Sequence, residues 1–147
     1  MKITNKKAFF DYEISERFEA GINLIGAEVK AIRLGHADLT GSFVKIIGSE
    51  AYLVNAKIFP YQYGRPENYD ERRTRKLLLH KREIISLKSK TDGSNLSIVP
   101  LSLYTTKTFI KVELALGKGK KKFEKKEAKK KKDLQRDTEL EIGLKNT

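Results

Sequence analysis

Apolar and polar residues alternate along most of the first 116 positions, with the period of two that a half-buried strand requires. Phe10-Asp11-Tyr12-Glu13-Ile14-Ser15 begins the pattern and it continues through Phe18 to Leu24, which predicts one long strand with a single buried face. Gly21 inside it predicts a bulge or a sharp bend. Phe43 to Ile47 and Ala51 to Ala56 flank Gly48-Ser49-Glu50, a connection of hairpin length. Leu96 to Tyr104 and Phe109 to Leu116 predict a second hairpin around Thr105 to Thr108. Pro100, which has no backbone N–H, belongs at an edge or a bulge there.

The period changes twice. Ala27 to Leu34 sets Val29 and Ile32 at helical spacing and runs into Gly35, a residue suited to a left-handed C-terminal cap. The polar side of this helix presents Glu28, Lys30 and Arg33. A second helix starts at His80 or Lys81, buries Ile84, Ile85 and Leu87, and ends before Thr91-Asp92-Gly93-Ser94-Asn95. Between hairpin and helix, Phe59 to Tyr69 reads as a loop whose Tyr61, Tyr63 and Tyr69 have two open uses, covering a barrel end or stacking on bases. Antiparallel strands with short interposed helices favour closure, because a closed sheet has no edge to pair with another molecule. The expected fold is mainly β: a small closed antiparallel OB-like β-barrel over residues 1–116, with two or three short flanking helices.

Charge adds a second region. Of the 147 residues, 31 are Lys or Arg and 19 Asp or Glu, a net charge of +12 that points first to nucleic acid. Gly117 to Thr147 alone carries 12 Lys or Arg against 6 Asp or Glu. Lys120 to Lys132 holds nine lysines with only Phe123 and Ala128 as apolar residues, too little surface to offset the entropy of ordering. Residues 117–147 are therefore expected to form a basic C-terminal tail, disordered in isolation.

Other chemistry finds little support. The absence of cysteine excludes disulfides and thiolate metal sites, and no metal or cofactor is expected. The N-terminus lacks the apolar stretch of a signal peptide, and no run of about 18 apolar residues could span a bilayer, so a soluble, cytoplasmic chain without a membrane partner is expected. His36 and His80 are the only histidines, and no phosphate-cradling glycine loop or carboxylate–histidine cluster accompanies them. An enzyme is not expected. His80 reads as a helix-start or packing residue in preference to a catalyst.

The segment Arg72 to Glu83 carries the strongest functional signal, two basic clusters around Leu77-Leu78-Leu79. The leucines are expected to anchor it in the core and so hold the cations on a fixed frame, matched to a structured anion. Glu28 is the odd acid on a basic helix face. It either pairs with Lys30 or Arg33 in solvent, or accepts a hydrogen bond from a base amino group, which a lysine could not do.

Asn5, Lys7-Ala8, Asp11-Tyr12, Phe18 to Ile22, Glu28-Val29-Lys30, Arg33, Gly35, Ala37, Val54-Asn55-Ala56, Arg73 to Glu83 and Gly117-Lys118-Gly119-Lys120-Lys121 together closely resemble the small protein B family, the SsrA-binding proteins of bacteria. The matches run in order from residue 5 to about residue 133. Three places depart from the family pattern: Phe10 stands for a usual histidine, Glu71-Arg72 for a usual Pro-Thr, and Glu124-Lys125-Lys126 for a usual Asp-Lys-Arg.

The resemblance implies a non-catalytic partner of transfer-messenger RNA in trans-translation, the rescue of ribosomes stalled on messages without a stop codon. It implies that the barrel binds the tRNA-like part of that RNA through Asn5, Lys7, Tyr12, Glu28, Lys30, Arg33, Arg73, Arg75, Lys76, His80 and Lys81. It further implies that the tail, with Lys118, Lys120, Lys121, Lys122, Lys125 and Lys126, enters the empty messenger channel at the decoding region of the small subunit. Elongation factor Tu and alanyl-tRNA synthetase would meet the chain through the same RNA. A general single-strand-binding OB protein is the alternative, since cationic grooves with stacking aromatics also bind without sequence preference. A membrane-surface role is weaker, because the tail has no continuous apolar face.

Overall fold

The structure is a computed structural model that describes residues 1–120; the expected disorder of the tail, with Lys121, Lys122, Lys125 and Lys126, lies outside the described residues. In chain order the elements are β1 (Lys2–Thr4), α1 (Lys6–Asp11), β2 (Tyr12–Ile22), α2 (Gly26–Arg33), β3 (Ala37–Asp38), β4 (Phe43–Ile47), β5 (Glu50–Val54), β6 (Lys57–Ile58), β7 (Arg75–Leu78), α3 (Lys81–Thr91), β8 (Leu96–Thr105) and β9 (Ile110–Gly119). Six strands close a ring in the order β8-β4-β5-β7-β2-β9 and back to β8, every pair antiparallel. The expected closed barrel is therefore present. Its thinnest seam is β4 against β8, a single pair at Val44↔Ile98, and β1 covers the next part of β8 from Lys2↔Tyr104 to Thr4↔Ser102.

The hairpins follow the alternation. β4 and β5 pair from Phe43↔Val54 to Ile47↔Glu50, so Gly48 and Ser49 alone form the turn, and Gly48 takes the positive φ of 62° that an unbranched backbone tolerates. Pro100 sits at a register shift between Pro100 and Ser102, as its missing N–H requires. The extra residue, Leu101, turns into a small cluster with Ala8, Val99 and Ala115, apart from the main core. α2 ends as its sequence predicts: Gly35 N–H donates to Ile32 O at 2.8 Å and His36 N–H to Ala31 O at 2.9 Å, with Gly35 at φ 79°. Ile32 from this helix is fully buried in the barrel, worth about 1.5–3 kcal/mol of apolar burial.

Four expectations are corrected. The first long strand begins at Tyr12 and not at Phe10, because Lys6–Asp11 is a helix. Asn5 caps it, accepting from Ala8 N–H at 3.3 Å while its amide donates to Leu39 O at 3.2 Å and Pro100 O at 2.9 Å. The bulge in β2 falls between Ile14 and Glu16; Gly21 instead allows Leu78 to pack close, since a Cβ there would lie 3.2 Å from Leu78 Cβ. Leu78 points outward with 56 % exposure, and Ile85 is likewise 60 % exposed. Strand alternation buries Leu77 and turns Leu78 out, whereas helical spacing keeps Ile84 and Leu87 on one face and leaves Ile85 off it.

The fourth correction concerns the boundary expected at Gly117. β9 runs on to Gly119, pairing Ile14↔Gly117, Glu13↔Lys118 and Tyr12↔Gly119, and Lys120 N–H donates to Asp11 O at 2.8 Å. Gly117 is required by packing: a Cβ would stand 2.9 Å from Tyr12 Cβ. The sheet therefore extends into the Gly-Lys-Gly-Lys segment.

Candidate nucleic-acid interface

The basic-leucine segment splits at β7. Arg75 lies on the inward face of the strand with no exposed surface, and Glu28 of α2 is 1 % exposed beside it. All five guanidinium hydrogens have acceptors: Nε donates to Glu28 Oε2 at 2.6 Å, Nη1 to Ala56 O at 2.8 Å and Arg73 O at 3.1 Å, Nη2 to Glu71 O at 3.0 Å and the Tyr69 hydroxyl at 3.2 Å. The other carboxylate oxygen, Glu28 Oε1, takes a hydrogen bond from Arg73 Nη2 and caps the helix through Ile25 N–H at 3.1 Å. Tyr69 closes the group, with its hydroxyl 3.0 Å from both Glu28 Oε2 and Ile58 O. Glu28 thus pairs with Arg73 and Arg75, and neither Lys30 nor Arg33 is its partner.

Burial alone would raise the pKa of Glu28, but hydrogen bonds from Arg73 and Ile25 N–H, with the charge of Arg75, hold it below the ordinary value. Desolvation first, then the hydrogen bond with Glu28, pushes the Tyr69 phenol up to about 12. A carboxylate enclosed in this way has no lone pair for a base, and Arg75 has no N–H for a phosphate. Their role in any interface is to fix α2 against β7 and the Tyr69 loop.

The outward half of the same segment is different. Lys76, His80 and Lys81 line an open depression of about 730 Å³ together with Glu19, Leu78 and Lys111. Lys76 pairs with Glu50 at 3.0 Å, and the Glu50 carboxyl is held low by its hydrogen bonds from Tyr52 and Lys76. His80 is the N-cap of α3, its N–H donating to Glu83 Oε1 at 3.0 Å, as expected of a helix-start residue. Leu78 continues this depression into a second one lined by Val29, Arg33, Phe109 and Lys111, where Phe109 is 64 % exposed. Large apolar side chains left in water, with Lys76, Lys81 and Lys111 beside them and Glu19, Glu50 and Glu83 in the same lining, mark a contact surface.

The remaining predicted residues sit elsewhere. Asn5 is buried and its side chain is fully engaged in capping and bridging, so it supports the surface without forming it. Lys7 and Tyr12 line a third depression of about 440 Å³ between α1, α3, β4 and β8, with Phe43 and Lys88. Lys30 lies over Tyr61 at 5.4 Å. Lys118 is exposed at the end of β9 and Lys120 follows it. The structure therefore gathers Lys76, His80, Lys81 and Arg33 around Leu78 and separates them from Lys7 and Tyr12.

Glu19, Leu78, Phe109 and Lys111 also line this surface, beyond the contact residues expected from the sequence. The signal was available for two of them, since alternation from buried Ala20 and Leu77 already places Glu19 and Leu78 outside. Among the described residues no group of three or more His, Asp or Glu gathers as a metal site, and no helix is long and apolar enough to cross a membrane.

Comparison with known proteins bears on this surface. Residues 2–143 match the family model described as SmpB protein. An SsrA-binding protein of Geotalea uraniireducens is 48 % identical over 142 residues, covering 97 % of this chain and 94 % of that one. One from a Sulfurihydrogenibium species is 52 % identical over 136 residues, covering 92 % and 90 %. A solved structure described as "tmRNA-SmpB: a journey to the center of the bacterial ribosome" superposes with a TM-score of 0.69 at 47 % identity, covering 82 % of this chain and 85 % of that one.

Proposed function

The chain belongs to the SmpB protein family, and from that premise we propose that it is an SsrA-binding protein, which holds transfer-messenger RNA and brings it to stalled ribosomes for trans-translation. The observation that carries the capture site is the exposed Leu78 in a ring of Lys76, His80, Lys81, Arg33 and Lys111. Cations held on β7, β9, the last turn of α2 and the first turn of α3 meet phosphates at fixed spacing, while Leu78 and Phe109 offer apolar contact to sugars and base faces. Glu19 adds selectivity: a carboxylate repels phosphate but accepts from a base amino group or a 2′-hydroxyl. Fixed geometry of this kind favours a folded, tRNA-like RNA over a flexible strand.

The chain works by binding and placement, with no reaction of its own. Elongation factor Tu and alanyl-tRNA synthetase reach it through the same RNA, in the cytoplasm where translation occurs. The segment beyond Lys120, with Lys118 and Lys120 at its root, acts in the messenger channel at the decoding region.

Two measurements test this. A gel-shift titration at moderate salt should show tighter binding to a transcript of the tRNA-like domain than to an unstructured strand of equal length; equal affinity would return the chain to the general single-strand binders. Salt must be held fixed, because each duplex phosphate contact contributes a log–log slope of about −0.9. Truncation after Lys120, which spares β9, should keep RNA affinity and abolish tagging on stalled ribosomes. Loss of both activities together would refute the division between barrel and tail.

A further inference from the structure

α2 connects the capture surface to a second feature. Arg33 lines the depression beside Leu78, and Lys30, three residues earlier on the same helix, sits 5.4 Å above the Tyr61 ring. Tyr63 packs edge-on against Tyr61, centroids 5.7 Å apart and planes at 71°, yet remains 78 % exposed. The loop that carries these rings is clamped at both ends, by Phe59 N–H to His36 O at 3.0 Å and by the Tyr69 hydroxyl to Ile58 O at 3.0 Å.

A ring this exposed gains little from burial, and so contributes little to folding. Tyr61 supports it on one edge, and Lys30 lies over Tyr61 in turn. The charge set against the rings is positive, Lys30 over Tyr61, while the loop itself carries one charge of each sign, Arg65 and Glu67; the cation on the ring fits a polyanion and disfavours a basic peptide. We propose that Tyr63, seated on Tyr61 and Lys30, is a stacking subsite for one unpaired nucleobase of the tRNA-like RNA held in the Leu78 groove. The proposal rests on the capture function given above. Structured RNAs are recognised at unstacked bases laid on aromatic rings, and α2 carries one cation at the groove, Arg33, and one at the ring, Lys30.

The chain has no tryptophan, so Tyr63→Trp keeps a stacking ring and installs a unique fluorophore. Titration with a tRNA-like-domain transcript should quench its emission. Tyr63→Ala should weaken binding by roughly 5- to 100-fold with the salt slope unchanged, because a stacking contact and no phosphate contact is lost, and tryptophan should recover that affinity. Unchanged affinity for Tyr63→Ala, or no quenching of the tryptophan on saturation, would overturn the subsite. Lys81→Glu with Lys111→Glu separates the two claims: normal binding by that double variant would sink the groove as capture site, and a loss there beside unchanged Tyr63→Ala binding would sink the stacking subsite alone.

Discussion

Arg75 and Lys76 are adjacent, carry the same charge and belong to the same basic cluster, yet they end on opposite sides of the barrel wall. Arg75 spends every donor inside, on Glu28, Tyr69 and three backbone carbonyls. Lys76 stays in water against Glu50, in a pair that solvent screens. The same contrast recurs at Gly117 and Lys118, one packed under Tyr12 and the other exposed. A basic motif is thus two devices in one strand: alternate cations build the frame, and their neighbours form the display.

The sharpest way to break the comparison is to remove one member of the interior pair. Arg75→Ala or Glu28→Ala should cost about 3–5 kcal/mol, because each strands a buried opposite charge. The urea midpoint should fall in proportion, with RNA binding lost only as the fold is lost. A wild-type midpoint with defective RNA binding would instead make Arg75 a contact residue. Arg75→Lys should not rescue, since one ammonium cannot replace the five-donor fork.

Gly117→Ala comes next. A methyl group at 2.9 Å from Tyr12 Cβ must displace β2 or β9, at about 1–3 kcal/mol in thermal unfolding, whereas Lys118→Ala should leave the melt unchanged.

Acid sharpens the contrast from another direction. The folded pKa of Glu28 lies below its ordinary value of 4.5, so its contribution is complete above that value and is lost as pH falls through the folded pKa. Stability measured from pH 5 downward should drop, and Glu28→Gln should flatten this limb of the curve while lowering stability at neutral pH.

On the display side the effects are on binding. Lys81→Ala and Lys111→Ala should each reduce the salt slope of RNA affinity by about 0.9 if the cation meets a duplex phosphate, with no change in Tm. Smallest of all, Lys76→Ala should leave the urea midpoint where it is. A clear destabilisation there would show that the surface pair is part of the frame.

Much of this fold was legible in the chain. Period-two alternation located the hairpins, Gly35 ended α2, Pro100 marked its bulge, and His80 opened α3. These are local signals, each set by a residue's own backbone preferences. α1 was missed because Asn5 is held by Leu39 and Pro100, 34 and 95 residues away, and nothing in Lys6–Asp11 announces them. The sequence offers Glu28 either Lys30 or Arg33 on its own helix or a base amino group, whereas its partners in the fold lie 45 and 47 residues on.

The sequence by itself determined the strand pattern, the basic character and the family to which the chain belongs, because periodicity, charge and motif order are properties of the chain. Only the tertiary structure decided which cations are available to RNA. Barrel closure sets Arg75 against Glu28 and turns Leu78 into water, and whether a side chain faces the core or the solvent depends on the elements packed against its strand, which lie far along the chain.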